Sequence, residues 1–536
     1  MADNTFAAYL CAGCGLGDVL DLDAMEKIAK REGKMQVIKR HDMLCSAQGV
    51  QTIRNDIASE GVTHVMLGAC SRRAKTEAFQ FPETAMARAN LREGVLWIVA
   101  QGAAHDEVRQ EMADDYIRMG CAELKKMKVP AGNPQRAANK TILVVGGGVS
   151  GLTAAIEAAE TGYEVVLVEK ELALGGWAAR LYRRVPFREP YAEPQATGLA
   201  ELVARVCAHP RMHVHLGATL AQTAGAPGRF VVSIAQADGT VTEVRVGAIV
   251  QASGFSSYDM AKLPELGAGL PGVVDQAGLE ALAVAAHGGP IRRADGQAVH
   301  SAVFVQCAGQ RDESGKHLPY CSGHCCATSV KQAMYFKDAN PDVDTAILYT
   351  DLRMPGMGED FYRSAQSKGV TFTKGRVSQV SAQGSGCAVT FRDLILDEEV
   401  TVQADLVVLA TGQVPNSGVN IDSPEAPQGD VKPISILNLN YRQGRDLPQL
   451  KAGLTDSHFI CFPYETRRTG IYAAGPVRRP MDMLQATDDA TGAALKAIQA
   501  VENAAQGRAA HPRSGDLSYP IVRLEGCTQC KRCTVE

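Results

Sequence analysis

Short apolar runs alternate with amphipathic stretches along nearly the whole chain, the pattern of an α/β protein. In the first 127 residues the strand-like runs are Phe6–Leu10, Met35–Ile38, Thr63–Leu67 and Val95–Val99. Helical patterns fill the gaps, and a long one covers Glu107–Lys126. Together they predict an N-terminal α/β domain over 1–127 with a parallel sheet. Lys128–Lys140 is polar and contains Pro and Gly, so 128–140 reads as a linker. A second α/β region begins at Thr141. Its pattern divides into 141–289, a separate α/β lobe over 290–383, and a return to the first fold over 384–504. Residues 505–536 read as a loop followed by a final cysteine group.

The chain has 536 residues, of which 46% are hydrophobic and 21% charged, an ordinary globular balance. A chain of this length buries a large core without staples, so metal sites in it are expected to be functional. A formal net charge of -4 gives no general attraction to nucleic acid or an anionic membrane. No apolar run reaches the roughly 18 residues of a membrane span. The longest, Thr141–Ala159, is broken by four glycines, Ser150 and Glu157. The N-terminus lacks the basic start and apolar core of a signal peptide. A cytoplasmic, reducing setting is therefore expected, in which cysteines stay thiols or bind metal.

The richest motif is Thr141–Ala155, where an apolar strand leads into Gly146-x-Gly148-x-x-Gly151 and then a helix. Gly146 permits a tight turn, and Gly148 lets backbone amides of Gly148, Val149 and Ser150 approach a pyrophosphate. Gly151 lets the helix pack on the strand, and the helix N-terminus favours the phosphate charge. A second strand, Glu164–Val168, ends at Glu169, 23 residues after Gly146 and placed to accept a ribose hydrogen bond, with Lys170 beside it. The segments downstream argue for FAD rather than NAD. Gly175-Gly176 brings the chain close to a cofactor. Gly247–Gly254, containing Ala252 and Gly254, and Asp405–Gly412, ending in Thr411 and Gly412, are apolar strands with small-residue turns. Gly470–Gly475 is a third, leading through Asp482 into a helical pattern that could aim its N-terminus at the isoalloxazine.

A flavin reductase of the thioredoxin reductase kind carries a second Gly-rich turn for NADPH. Here the corresponding strand, Ser301–Gln306, runs instead into Cys307, followed by Cys321, Cys325 and Cys326. No nicotinamide site is expected. Four thiolates suit an Fe–S cluster, and zinc would accept them too. The adjacent pair reaches one cluster only if the backbone turns sharply there. The alternative is two ligands and two core thiols, and His324 reads as a bystander.

Of the 15 cysteines, Cys11, Cys14, Cys45 and Cys70 fall at or after the ends of predicted parallel strands, the edge where ligands bind. That predicts a second four-thiolate site, with a Cys11–Cys14 redox dithiol as the competing reading. Cys527, Cys530 and Cys533 form C-x₂-C-x₂-C, the start of a ferredoxin motif, and the natural chain is expected to continue beyond it. Cys121, Cys207, Cys387 and Cys461 read as small core hydrophobes.

These residues together resemble the HdrA-like family, the A subunits of heterodisulfide reductases. The resemblance is carried by the N-terminal cysteine domain, the dinucleotide fingerprint, the Cys307/Cys321/Cys325-Cys326 pattern and the ferredoxin start. It implies a two-dinucleotide, thioredoxin reductase-like FAD domain. It also implies a [4Fe–4S] cluster beside the flavin, another in the N-terminal domain, and more in the missing C-terminal part. Within the family, CAGCG and GCTQCKRC look most like the QmoB branch, found in quinone-interacting membrane-bound oxidoreductases. That branch implies partner subunits including a membrane quinone-reactive one, adenylylsulfate reductase as a redox partner in sulfate reduction, and a peripheral place at the inner membrane. Two other functions stay open: a flavin-based bifurcating subunit of a soluble heterodisulfide reductase, and a thiol–disulfide oxidoreductase with structural zinc. No Ser-His-Asp arrangement, P-loop or HExxH suggests hydrolysis or phosphoryl transfer, and no single catalytic residue is expected.

Overall fold

A computed structural model describes residues 4–81, 84–100, 102–129, 138–417, 436–440, 447–457 and 463–511. These fall into two compact units, one drawn from Met1–Ala137 and Asn503–Thr528, the other from Ala138–Glu502 and Gln529–Glu536.

The N-terminal unit holds a four-stranded parallel sheet of β1 (Thr5–Cys11), β2 (Val37–His41), β3 (Val62–Ala69) and β4 (Ala85–Asn90), in the order β2-β1-β3-β4. Its central strands are buried on both faces, as a sheet covered by crossover helices must be. The helix Asp106–Lys126 packs on β3 and β4 where Gly120 lies against Met66 and Ala89. The fourth strand corrects the expectation at Val95–Val99. Val95 and Leu96 are buried while Trp97 and Ile98 are 65% and 63% exposed, and Arg92–Leu96 is a π-helical turn. Two residues in and two out is helical spacing, not the alternation of a strand. The true strand, β4, alternates alanine with Met86, a buried Arg88 and Asn90, and so carries no apolar strand signature.

In the second unit, β5 (Ile142–Val145), β6 (Val165–Val168) and β7 (Met212–His215) precede an antiparallel ribbon of β8 (Ala218–Ala224), β9 (Phe230–Gln236) and β10 (Val241–Val246). Then comes β11 (Ala248–Gln251). The strand Ile471–Ala473, β11, β5, β6 and β7 form a five-stranded parallel sheet in that order. The helix Val149–Glu160 packs on it through Leu152, Ala155, Ile156 and Ala159, all buried.

β12 (Phe255–Ser257) leaves this sheet for a second one. That sheet contains β13 (Val273–Asp275), β14 (Ser301–Ala308), β15 (Asp344–Tyr349), β16 (Thr371–Gln383), β17 (Gly386–Asp393), β18 (Glu399–Ala404) and β19 (Leu406–Thr411). Its order is β13-β19-β14-β15-β16-β17-β18. β20 (Gln413–Pro415) pairs antiparallel with β12, so one two-stranded ribbon carries the chain out and back. The second lobe therefore spans β13 to β19, wider than the expected 290–383. The 383/384 boundary falls inside a hairpin, because β16 pairs antiparallel with β17 from Gly375 to Gln383. Asp405–Gly412, expected beside the flavin fingerprint, belongs to this lobe, with β19 lying between β13 and β14. A strand of this composition is buried in either sheet, and only the pairing partners separate the two.

Candidate redox site

The dinucleotide turn has the geometry its glycines require. Gly146 has φ +109, and a Cβ there would overlap the Ala252 carbonyl oxygen. A Cβ on Gly151 would overlap the Gly146 carbonyl. Gly148, at the head of the helix Val149–Glu160, is different. A Cβ there would meet only the Gly176 Cα, at 3.9 Å. Open space thus lies before a helix N-terminus whose first amides have no side-chain cap, which fits a pyrophosphate.

Gly175 and Gly176 close one wall, with φ +116 and +52, and Gly175 bridges to Gly148. Glu169 is buried, and its two carboxylate oxygens accept the amides of Gly147 at 2.5 Å and Glu171 at 2.9 Å. It braces the turn, and each oxygen keeps a second lone pair for a hydroxyl. Lys170 is exposed, its ammonium 3.7 Å from Glu171. Gly475 has φ +78 and lies against buried Ser150, where a Cβ would overlap the hydroxyl. Its amide donates to Asp489 at 2.8 Å, and Asp489 also pairs with buried Arg478. Asp482 accepts the Gln485 amide at 2.8 Å and so caps the helix Met483–Ala505. Gly254, with φ +69, ends the β11 turn, and its carbonyl accepts the Asn416 amide at 3.0 Å.

Thr411 and Gly412 lie elsewhere. The Thr411 carbonyl faces Cys325 Sγ at 3.6 Å, and a Cβ on Gly412 would press on the Gln310 amide. They belong to the thiol group of the second lobe. In that group Cys307, the penultimate residue of β14, has φ +59 within the register shift between Val305 and Ala308. Cys321 Sγ takes the Gly323 amide at 3.4 Å. Cys325 and Cys326 open the helix Cys325–Ala339 in its first turn. The pair therefore lies in regular helix and not in the sharp turn set as the condition for both to reach one cluster. Burial pushes the Cys307 and Cys325 thiols up and Cys326 to about 11, and the other cysteines of the group add to the rise at Cys325 and Cys326. The Arg311 guanidinium pulls Cys307 back down. His324 heads the same helix. Its Nδ1 is 3.3 Å from Thr328 Oγ1, and its buried Nε2 has no partner among the described residues.

In the N-terminal unit the order of the edge holds. Cys11 ends β1 and Cys70 follows β3, while Cys45 follows β2. Cys14, with φ +57, precedes Gly15, and a Cβ on Gly13 would overlap the Asp42 carbonyl. Burial raises the Cys70 thiol, opposed by Arg88 and Arg92. Among the described residues no three His, Cys, Asp or Glu side chains are closed to metal-binding distance. In the second lobe the cysteines act on one another electrostatically, and a soft thiolate donor set suits iron–sulfur or zinc. Cys527, Cys530, Cys533 and Cys461 lie outside the described residues. Cys121 and Cys387 are buried as expected, whereas Cys207 is exposed on the helix Leu199–Ala208, a correction to its reading as a core residue.

Sequence reasoning missed Gln310, Gln276 and Arg88. Gln276 Nε2 donates to the Cys325 carbonyl at 2.9 Å and to Ser329 Oγ at 2.9 Å. The available signal was a lone polar side chain inside an apolar pattern, as Arg88 is within Ala85–Asn90.

A family model described as FAD dependent oxidoreductase matches residues 141–251. The A subunit of the ferredoxin:CoB-CoM heterodisulfide reductase of Methanosarcina acetivorans is 24% identical, over 99% of this chain and 77% of that protein. The A subunit of the H(2):CoB-CoM heterodisulfide,ferredoxin reductase of Methanothermobacter thermautotrophicus is 26% identical, over 100% and 89%. An iron-sulfur A subunit of the CoB–CoM heterodisulfide reductase of Methanopyrus kandleri is 26% identical, over 97% and 89%. Among solved structures, T. acidophilum thioredoxin reductase superposes with a TM-score of 0.42 at 14% identity, covering 67% of this chain and 98% of that one.

Proposed function

We propose that this chain, a member of the HdrA-like heterodisulfide reductase family and an oxidoreductase with a thioredoxin reductase-like FAD domain, is an electron-transfer subunit of a multi-subunit redox complex. FAD, when bound, supplies exchange between two-electron and one-electron partners, and [4Fe–4S] clusters supply one-electron relay. The observation that carries the reading is the end of β14. In the position of a second dinucleotide-binding strand, it delivers Cys307 to a loop and helix bearing Cys321, Cys325 and Cys326.

The chain's own part is to bind and orient. Gly146, Gly148, Val149, Ser150 and Gly151 receive the pyrophosphate, with Gly175 and Gly176 as its wall and Glu169 bracing the turn and reaching the ribose. Ala252, Gly254, Gly475 and Asp482 border the rest of the cofactor. Cys307, Cys321, Cys325 and Cys326 hold one cluster, and Cys11, Cys14, Cys45 and Cys70 a second. Gln310, Thr411 and Gly412 pack over Cys325 and keep water from it. Cys527, Cys530 and Cys533 have the C-x₂-C-x₂-C spacing of cluster ligands.

Within the family we favour a component of a quinone-interacting membrane-bound oxidoreductase. It would be docked at the inner membrane through a quinone-reactive partner and exchange electrons with adenylylsulfate reductase. The CAGCG and GCTQCKRC segments support this. The names of the relatives favour a second reading, a component of a soluble bifurcating heterodisulfide reductase. Anaerobic purification from the native source, with assay of flavin, iron and acid-labile sulfide, tests the first statement. Yellow protein lacking iron and bleached by NADPH alone would overturn it. Co-purifying proteins separate the two members: a membrane quinone-reactive partner supports the first, and a ferredoxin-linked soluble partner the second.

A further inference from the structure

Arg88 is buried to 7% exposure at the centre of β4, and it has no carboxylate within ion-pair distance among the described residues. A guanidinium cannot shed its proton, and a buried charge without a counter-charge is strongly disfavoured. Its contacts identify the anion that balances it. One Nη donates to the Ala74 carbonyl at 2.8 Å, and the other donates to Cys70 Sγ at 2.9 Å. The plane stacks on Phe79 at 4.9 Å, and the buried Nε has no partner. The sulfur is the sole group among those contacts able to carry a negative charge. A second arginine approaches the same edge. Arg92, its side chain 21% exposed, lies 3.7 Å from Cys14 Sγ and is tied to Glu93, whose other oxygen takes the Ser71 amide at 2.7 Å. Glu93 pairs directly with Arg92 and acts on Arg88 only from beyond ion-pair distance, whereas the Cys70 sulfur is in hydrogen-bond contact with Arg88.

We propose that Arg88 is the built-in counter-ion of the Cys70 thiolate and, with Arg92, sets the reduction potential of the N-terminal thiolate centre above what its burial alone would give. The proposal rests on the reading that Cys11, Cys14, Cys45 and Cys70 hold a cluster. Adding one electron to such a centre adds one negative charge. A fixed guanidinium hydrogen-bonded to a ligand sulfur stabilises that state and stiffens the sulfur's position. The pairing also bears on the Cys11–Cys14 dithiol alternative. A disulfide between those two leaves Arg88 with no role, whereas a ligand thiolate at position 70 accounts for the buried charge. Arg88 is a positioning residue, acting through Cys70.

The test uses the full chain purified without oxygen, titrated with dithionite and mediators while the cluster signals are followed by electron paramagnetic resonance. Iron and sulfide are measured in parallel. A signal lost in Cys70→Ser marks the N-terminal centre. In Arg88→Gln that signal should move to a more negative midpoint potential with iron retained. Arg88→Lys, which keeps the charge but not the two-pronged hydrogen bond, should fall between the two. An unchanged potential in Arg88→Gln overturns the proposal. If Arg88→Gln does not fold, Arg92→Gln, which removes the more accessible charge, must shift the same signal in the same direction, and no shift is the overturning result. Wild-type protein with iron for one centre only, and no signal dependent on Cys70, sinks the cluster reading itself, a distinct outcome.

Discussion

The Gln310 amide sits against Cys325, its Nε2 3.3 Å from the sulfur and 3.0 Å from the Ala410 carbonyl, while its Oε1 accepts the Ser322 amide at 3.0 Å. One side chain thereby joins three segments of the second lobe: the end of β14, the Cys321 loop and β19. Replacing it with Leu keeps the bulk and leaves the Ser322 amide and the Ala410 carbonyl without that partner. Gln310→Leu is expected to lose about 1–3 kcal/mol of stability and to retain less iron per chain. Chemical denaturation and iron assay check both.

The contrast between Gly148 and Gly151 separates cofactor binding from folding. A side chain at Gly151 overlaps the Gly146 carbonyl, so Gly151→Ala should cost about 3 kcal/mol or more. At Gly148 nothing of the protein stands in the way closer than the Gly176 Cα. Gly148→Val should leave the flavin-free protein within about 1 kcal/mol of wild type. It should weaken FAD binding at least tenfold, about 1.4 kcal/mol. Thermal unfolding of the flavin-free protein and fluorescence titration with FAD give the two numbers. Unimpaired FAD binding by Gly148→Val would remove the pyrophosphate from this turn.

Lys331 and Glu280 form an ion pair at 2.8 Å with both side chains 2% exposed, joining the helix Cys325–Ala339 to the helix Gln276–Ala286. Lys331 also donates to the Arg183 carbonyl at 2.8 Å, and Glu280 accepts from Gln332 at 2.8 Å and from the Tyr182 amide at 2.9 Å. Removing one charge strands the other, so Lys331→Met is expected to cost about 3–5 kcal/mol. The double variant Lys331→Met/Glu280→Gln should recover a measurable part of that loss. A double-mutant cycle by urea unfolding checks the coupling.

His64 supplies a pH dependence confined to the N-terminal unit. It is 1% exposed, packs on Phe6 with centroids 4.4 Å apart, and contacts Thr63 Oγ1 at 2.8 Å and the Met127 carbonyl at 3.3 Å. Burial lowers its pKa below the ordinary 6.5, more than the Met127 carbonyl raises it. The unfolded chain therefore binds the proton more readily, and stability falls as pH drops through and below 6.5. His64→Gln should flatten that fall, and unfolding of the wild-type and variant chains between pH 7 and 5 reads it.

Features that depend on neighbours along the chain were legible without the fold. The helix Val149–Glu160, the turn before it and the strand ending at Glu169 follow from glycine placement and apolar periodicity, which are local steric facts. The helix Asp106–Lys126 was legible for the same reason. Cysteine spacing made the thiol cluster at and after the end of β14 legible. Tertiary structure decided what depends on partners distant in sequence. β19 joined the second lobe, not the flavin sheet, because a uniformly buried strand carries no mark of which sheet it enters. The apolar run at Val95 became a helical turn, and an alanine-rich segment became β4. The contact between Arg88 and Cys70 spans 18 residues and two strands: the parallel pairing sets Arg88 opposite Leu67, and its long side chain reaches Cys70 just past the end of β3.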